Sequence, residues 1–262
     1  PFYSPASYNS QGVCFAFVAT HNHFALSSGR LLFNRTAPLI RFLERPSSGP
    51  GAADADVDQE DADPQEGDGV DRPGSDARVD VDTLHDIAGL LNSSTLGCWM
   101  KQVLHNKGNS TDSSGARTTG EFCFDTFEYD RSKIARIPIT PAGATHRSAL
   151  ALALTTAARH RAEYLPAEIM SSSWEAAELE TRLSAARERY MALTHQMVAL
   201  QEELDWTTYS SYDLIAQQEV VPVAVIEPVA PGHRPFEIIL ARADEETDDD
   251  EKSAWWSRNG YE

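Results

Sequence analysis

Cysteine is scarce in this sequence. Three thiols stand among 262 residues, at Cys14, Cys98 and Cys123, and no two have C-x-x-C spacing. An odd, scattered set excludes a disulfide framework and a cysteine zinc site, and it fits a reducing, cytoplasmic setting. Long apolar runs are lacking too. The longest, such as Val13–Ala19, fall far short of the about 20 residues that cross a bilayer, so no membrane partner is expected. No basic-then-apolar leader opens the sequence. It opens on Pro1 rather than Met, which leads us to expect a piece of something longer. No two prolines are adjacent, so the N-P-P-[YF] loop that faces a base in amino-methyltransferases is missing. An F-x-G-x-G-like cofactor turn, a P-loop lysine, a G-x-S-x-G elbow and an H-E-x-x-H helix are missing as well. The stretch is therefore expected to perform no covalent chemistry by itself and to hold no cofactor.

Positive charge is the other shortage, with 22 Lys and Arg against 40 Asp and Glu and a net charge of −18. Its distribution matters more than its sum. Residues 51–82 hold twelve acids against Arg72 and Arg78, and 244–262 hold eight acids against two bases. Residues 1–50 instead carry Arg30, Arg35, Arg41 and Arg45 against Glu44 alone. The acidity belongs to a loop, a helical region and a tail, and it leaves room for a basic face elsewhere. The run 46–82 is Asp, Ala, Gly and Pro with no aromatic and no large aliphatic residue. Such a run buries too little apolar surface to offset its ordering entropy, and it reads as a disordered acidic surface insertion. Its Asp-x-Asp repeats lack the Gly-6 and Glu-12 pattern of a calcium loop.

The organising stretch is Thr83–Gly108, TLHDIAGLLNSSTLGCWMKQVLHNKG. Leu84, Ile87, Ala88 and Leu91 recur at helical spacing, and so do Leu96, Trp99, Met100, Val103 and Leu104. Asn92-Ser93-Ser94 between them offers oxygens to cap the second helix. That helix is expected to end in a polar, basic cluster: Lys101, Gln102, His105, Asn106 and Lys107. Before it, VCFAFVAT, HFAL and RLLFN read as strands of an antiparallel meander, and after it EFCFDTFEYDRSKIARIPI returns to strand character. From His146 the pattern is helical. One helix stops before Pro166, and a long one runs from about Ser173 to Trp206. In the latter Leu179, Leu183, Ala186, Tyr190, Leu193, Met197, Leu200 and Leu204 form an uninterrupted a/d seam. The adjacent helix is the nearest partner, so a hairpin is expected rather than a dimeric coiled coil. PFEIILARA reads as a short strand or helix. Trp255-Trp256 makes an aromatic patch that would be odd if left exposed.

The order of strands, two helices, strands and then helices is α+β rather than the alternation of a nucleotide-binding sheet. Residues 1–145 are expected to form a small, mostly antiparallel β domain with two short helices. Residues 146–215 are expected to form a long helical hairpin, and 216–262 a C-terminal extension that continues in the full-length protein. His21-x-His23 invites a metal reading, but no third and fourth ligand follow at defined spacing, so no metal is assigned.

Four pieces, in this order, resemble the C-terminal half of adenine-specific DNA methyltransferases of the phage-growth-limitation (BREX) type, within the wider fused restriction-modification class. They are HNHFALSSGRLLFNRTAPLI, LLNSSTLGCWMKQVLHNKG, LQEELDWTTYSSYDL, and GHRPFEIILARA with the later SAWWSRNG. The second and third are the most specific. The acidic insertion 46–82 and Ser210-Ser211-Tyr212-Asp213, where a glycine is usual after the tyrosine, depart from the family pattern. The resemblance implies a target-recognition domain over 1–145. Its partners would be double-stranded DNA, the catalytic region upstream and other defence-system proteins. S-adenosylmethionine would be the cofactor of the full-length enzyme and not of this stretch.

Sequence reading needs Asn, Gln, Arg, Lys or His on loops or helix ends, and basic contacts to phosphate. The DNA-binding candidates are His21, Asn22, His23, Arg30 and Arg35 in the turns, with Lys101, Gln102, His105, Asn106 and Lys107 at the helix end. Two other classes stay open: a protein-interaction module of a defence complex, and a fragment without function.

Overall fold

In the first compact unit, drawn from Pro1–Leu84 and Met100–Ile137, the alternating apolar residues of VCFAFVAT do not make one strand. They make two, β1 (Gly12–Phe15) and β2 (Val18–Ala19), which enter different sheets. The computed structural model that shows this describes residues 11–28, 36–41, 80–107, 125–171, 178–216 and 219–247. Both backbone edges of β1 are used: β3 (Phe24–Ser27) pairs on one side and β4 (Leu39–Arg41) on the other, both antiparallel. The order in this sheet is β3-β1-β4, and the antiparallel β1–β3 pair joins the first two of the expected strands. β2 instead pairs with β6 (Phe127–Glu128), whose other edge takes β5 (His105–Asn106). A Cβ on Gly12 would collide with the Ile40 carbonyl, so glycine lets β4 approach there. Val13 and Phe15 are buried. Phe15 meets Phe24 at 5.4 Å, and Phe24 meets Tyr129 edge-on at 6.1 Å. Burial raises the Tyr129 hydroxyl to about 12.

RLLFN and most of the 46–82 run lie outside the described residues, although the last two residues of that run already belong to α1 (Val81–Leu91). The strand expected through 131–139 is instead a short helix, α3 (Arg131–Ile134). Asp130 accepts a hydrogen bond from the Ser132 amide at 2.9 Å, and this cap turns the chain where apolar alternation alone suggested extension.

The second unit is drawn from His85–Trp99 and Pro138–Glu262. Ser93, fully buried, caps α2 (Ser94–Val103) by accepting from the Leu96 amide at 3.3 Å while donating to the Leu90 carbonyl at 2.7 Å. α4 (Ala144–Ala162) packs along α6 (Leu179–Ser211), and a short α5 (Pro166–Ser171) lies between them in sequence. Leu150, Ala151, Leu200 and Leu204 are the centre of this hairpin. Only Ala186, Leu200 and Leu204 of the a/d seam are buried; the other seam residues are half-buried. The helix outruns its expected end at Trp206, and the buried Thr207 and Thr208 hydroxyls are satisfied within it by donating to the Glu203 and Leu204 carbonyls, each at 2.8 Å. PFEIILARA is helical, within α7 (Pro235–Glu245), after a single 3-10 turn at Val223–Val225. Pro235 sits in the first turn, where its missing N–H costs nothing. The fold is α+β, and no helix among the described residues is long and apolar enough to cross a membrane.

Candidate functional site

The β2-β6-β5 sheet brings two sequence-distant sets of candidates to one end. Val18 and His105 both pair with Glu128, and Ala19 and Asn106 both pair with Phe127. β2 and β5 therefore run the same way, and the segments that follow them, Thr20–His23 and Lys107, leave the same end of the sheet. There the His21 and His23 rings stand 4.0 Å apart, and Thr20 Oγ1 lies 2.7 Å from His21 Nδ1. His21 is exposed at its surface edge yet titrates below the usual histidine range. Partial burial is the main cause, followed by the positive charges of His23 and Lys101. The imidazole thus feels Lys101 from α2, so the turn and the helix end share one electrostatic neighbourhood.

The stretch Lys101–Lys107 is not one helix end. α2 stops at Val103; the Leu104 amide makes a last helical bond to Met100, 2.8 Å long, and His105–Asn106 then enter the sheet. Leu104 is buried, and this anchors the switch from helix to strand. Lys101 and Gln102 remain on the helix, exposed, and His105, Asn106 and Lys107 are exposed on the strand side. Lys107 Nζ pairs with Glu128 at 2.7 Å, and Asn106 Nδ2 donates to Asp125 Oδ2 at 3.0 Å. Arg30 and Arg35 lie outside the described residues. Among the described residues no three His, Cys, Asp or Glu side chains converge as a metal ion would require, His21 and His23 included.

The second unit contains a cleft of about 680 Å³ that reading the sequence for charged base-readers did not find. Its walls are Leu154, Met197, Trp206, Phe236 and Ile239, with Glu202, Asp205, Arg161 and Arg234 around them. Asp205 is what assembles it. Its carboxylate accepts from the Ser94 amide at 2.7 Å, placing an anion on the N-terminus of α2, and Ser94 Oγ lies 2.8 Å from the Tyr209 hydroxyl. Gln201 Nε2 reaches the Asn92 carbonyl at 3.5 Å. Arg234, the residue before α7, is held by Glu237 at 2.6 Å, and Glu237 also accepts from the Gly232 and Arg234 amides. Those bonds hold the Glu237 carboxyl below its usual range despite burial. Burial raises the carboxyls of Asp205 and Glu202, the latter also through neighbouring acids. The available signal was the set of motifs itself: Asn92–Ser94, Gln201–Tyr209 and Gly232–Ile239 belong to three of the four stretches quoted above, and they converge here.

Comparison with known proteins relates the chain to a larger one. It is 32% identical over 233 residues to the adenine-specific methyltransferase PglX of Streptomyces coelicolor. That match covers 87% of this chain but 16% of the relative, so the chain spans about a sixth of the length of that curated protein. Residues 197–262 match a family described as a domain of unknown function (DUF7008). No solved structure matches the chain.

Proposed function

We propose that this chain is the DNA target-recognition part of an adenine-specific DNA methyltransferase of a phage-defence system, of the BREX or restriction-modification kind. The likeness to PglX across most of the chain carries this reading. The chain does not fit S-adenosylmethionine, for it has neither the glycine turn nor the base-facing loop, so methyl transfer to adenine N6 belongs to a catalytic region upstream. What this stretch contributes is a surface for duplex DNA. Lys101 supplies a positive charge, Gln102 an amide, and His21 and His23 a pair of imidazoles at one sheet end, in a chain whose net charge is strongly negative. Lys101 meets phosphate through counterion release, and Gln102 presents the donor and acceptor pair that suits adenine in the major groove. Lys107, already paired with Glu128, contributes less.

The test is a salt titration of duplex binding by fluorescence anisotropy, with the chain joined to its upstream region. Lys101→Ala should weaken binding on all sequences alike and lower the log–log salt slope by roughly one unit. Gln102→Ala should cost roughly 1–3 kcal/mol on the cognate site and little on random DNA. Unchanged affinity and slope in both variants would remove this surface from the DNA face.

A further inference from the structure

The rings of His21 and His23 stand 4.0 Å apart, tilted by 49°, and both residues are exposed on the turn after β2. Thr20 Oγ1, 2.7 Å from His21 Nδ1, engages one nitrogen of that ring, so an incoming ligand would meet the other, Nε2. Among the described residues, His23 and Lys101 of α2 are the charged groups that act on His21, and both oppose its protonation, as does its partial burial. The acids on and beside β6 are engaged elsewhere: Glu128 pairs with Lys107 at 2.7 Å and faces His105 across the register, and Asp125 accepts from Asn106 at 3.0 Å. A proton added to this turn therefore meets like charge at short range, and an anion laid over the rings removes that cost.

We propose that the His21–His23 pair is a proton-linked phosphate contact: a DNA phosphate binding at this turn draws a proton onto the imidazoles, so the duplex is held more tightly as pH falls through the histidine range. The inference rests on the DNA reading above and adds to it the regulation of that surface. Linkage makes the effect reciprocal. If phosphate raises the proton affinity of the pair, a proton raises its phosphate affinity by the same factor. Lysine keeps its charge across this range, whereas imidazole gains one, so Lys101 holds phosphate at every neutral pH and the histidines grade the hold. Counterion release makes the added charge visible, because each new positive contact steepens the log–log salt slope by about 0.9.

The experiment follows duplex binding by fluorescence anisotropy across a salt series at about pH 6 and about pH 8, either side of the histidine range, with the chain joined to its upstream region. Affinity should be about tenfold tighter at the lower pH, and the salt slope steeper there by about one unit. His21→Asn with His23→Asn keeps polar side chains on the turn and removes both titrating groups, so the two slopes of that variant should coincide. Circular dichroism checks its fold. The parent protein also gives a measurement that needs no variant: calorimetry at neutral pH, in two buffers of different ionisation enthalpy, should record uptake of about one proton per complex. Equal slopes at the two pH values in the parent, a pH effect that survives in the variant, or binding without proton uptake would overturn the inference and leave the DNA reading standing. Absence of duplex binding at both pH values would overturn the two together.

Discussion

Arg147 is the place where a single substitution should cost the second unit most. Its side chain is fully buried on α4. Nε donates to Asp86 Oδ1 at 2.9 Å, Nη2 to the Thr140 carbonyl at 2.8 Å, and Nη1 to Ser211 Oγ at 2.9 Å and to the Ala142 carbonyl. The guanidinium thus ties α1, the Thr140–Gly143 turn and the end of α6 into one network. Gly143, with φ of 73°, is the bend that returns those carbonyls to it. Arg147→Met keeps much of the volume and removes every donor. It strands the Asp86 carboxylate, whose side chain is 12% exposed, and takes the guanidinium donor from the Thr140 carbonyl, while the Ala142 carbonyl keeps the Ser211 hydroxyl at 2.8 Å. Removing one partner of a buried pair typically costs about 3–5 kcal/mol. For a protein of this size that corresponds to a fall in Tm on the order of 10 °C. Asp86→Leu added to Arg147→Met should recover part of the loss, because the carboxylate no longer lacks its partner. Urea unfolding followed by circular dichroism measures both. A loss under about 1 kcal/mol for Arg147→Met would refute the argument, since it would mean that water reaches the site and replaces the guanidinium.

Two further outcomes follow from the charges. Glu202 has its carboxyl raised by burial and by neighbouring acids, so its ionised form is disfavoured in the folded state. The folded protein therefore holds this proton to higher pH than the unfolded chain. Its contribution is most favourable at acid pH, and stability falls as pH rises from the ordinary carboxylate value through the raised one. Glu202→Gln should be the more stable form at neutral pH, with the advantage vanishing in acid; a constant difference across pH would contradict this. In the first unit, Lys101→Ala removes one of the positive charges that hold the His21 imidazole low, so the His21 titration followed by NMR should move upward. A titration that does not move would separate the His21 turn from the helix end.

Much of the helical architecture follows from local pattern alone. Apolar spacing suffices to place α1, α2 and α6, because a helix closes its own backbone bonds and must bury one face. Ser93 is legible as a cap for the same local reason. The α+β class follows from the order of elements. The strands were different: VCFAFVAT carries one alternating pattern, yet its two halves pair with different partners, and strand partners are chosen by contacts far apart in sequence. The turn at Asp130 and the entry of His105–Asn106 into a sheet were hidden likewise. Each depends on one hydrogen bond or one pairing outweighing a weak propensity. The candidate residues were recognisable by type, but only the β2-β6-β5 register set the His21 turn beside the end of β5. The cleft was not legible at all, since Ser94, Asp205 and Phe236 become neighbours only when helix packing carries them together, and no local period records that.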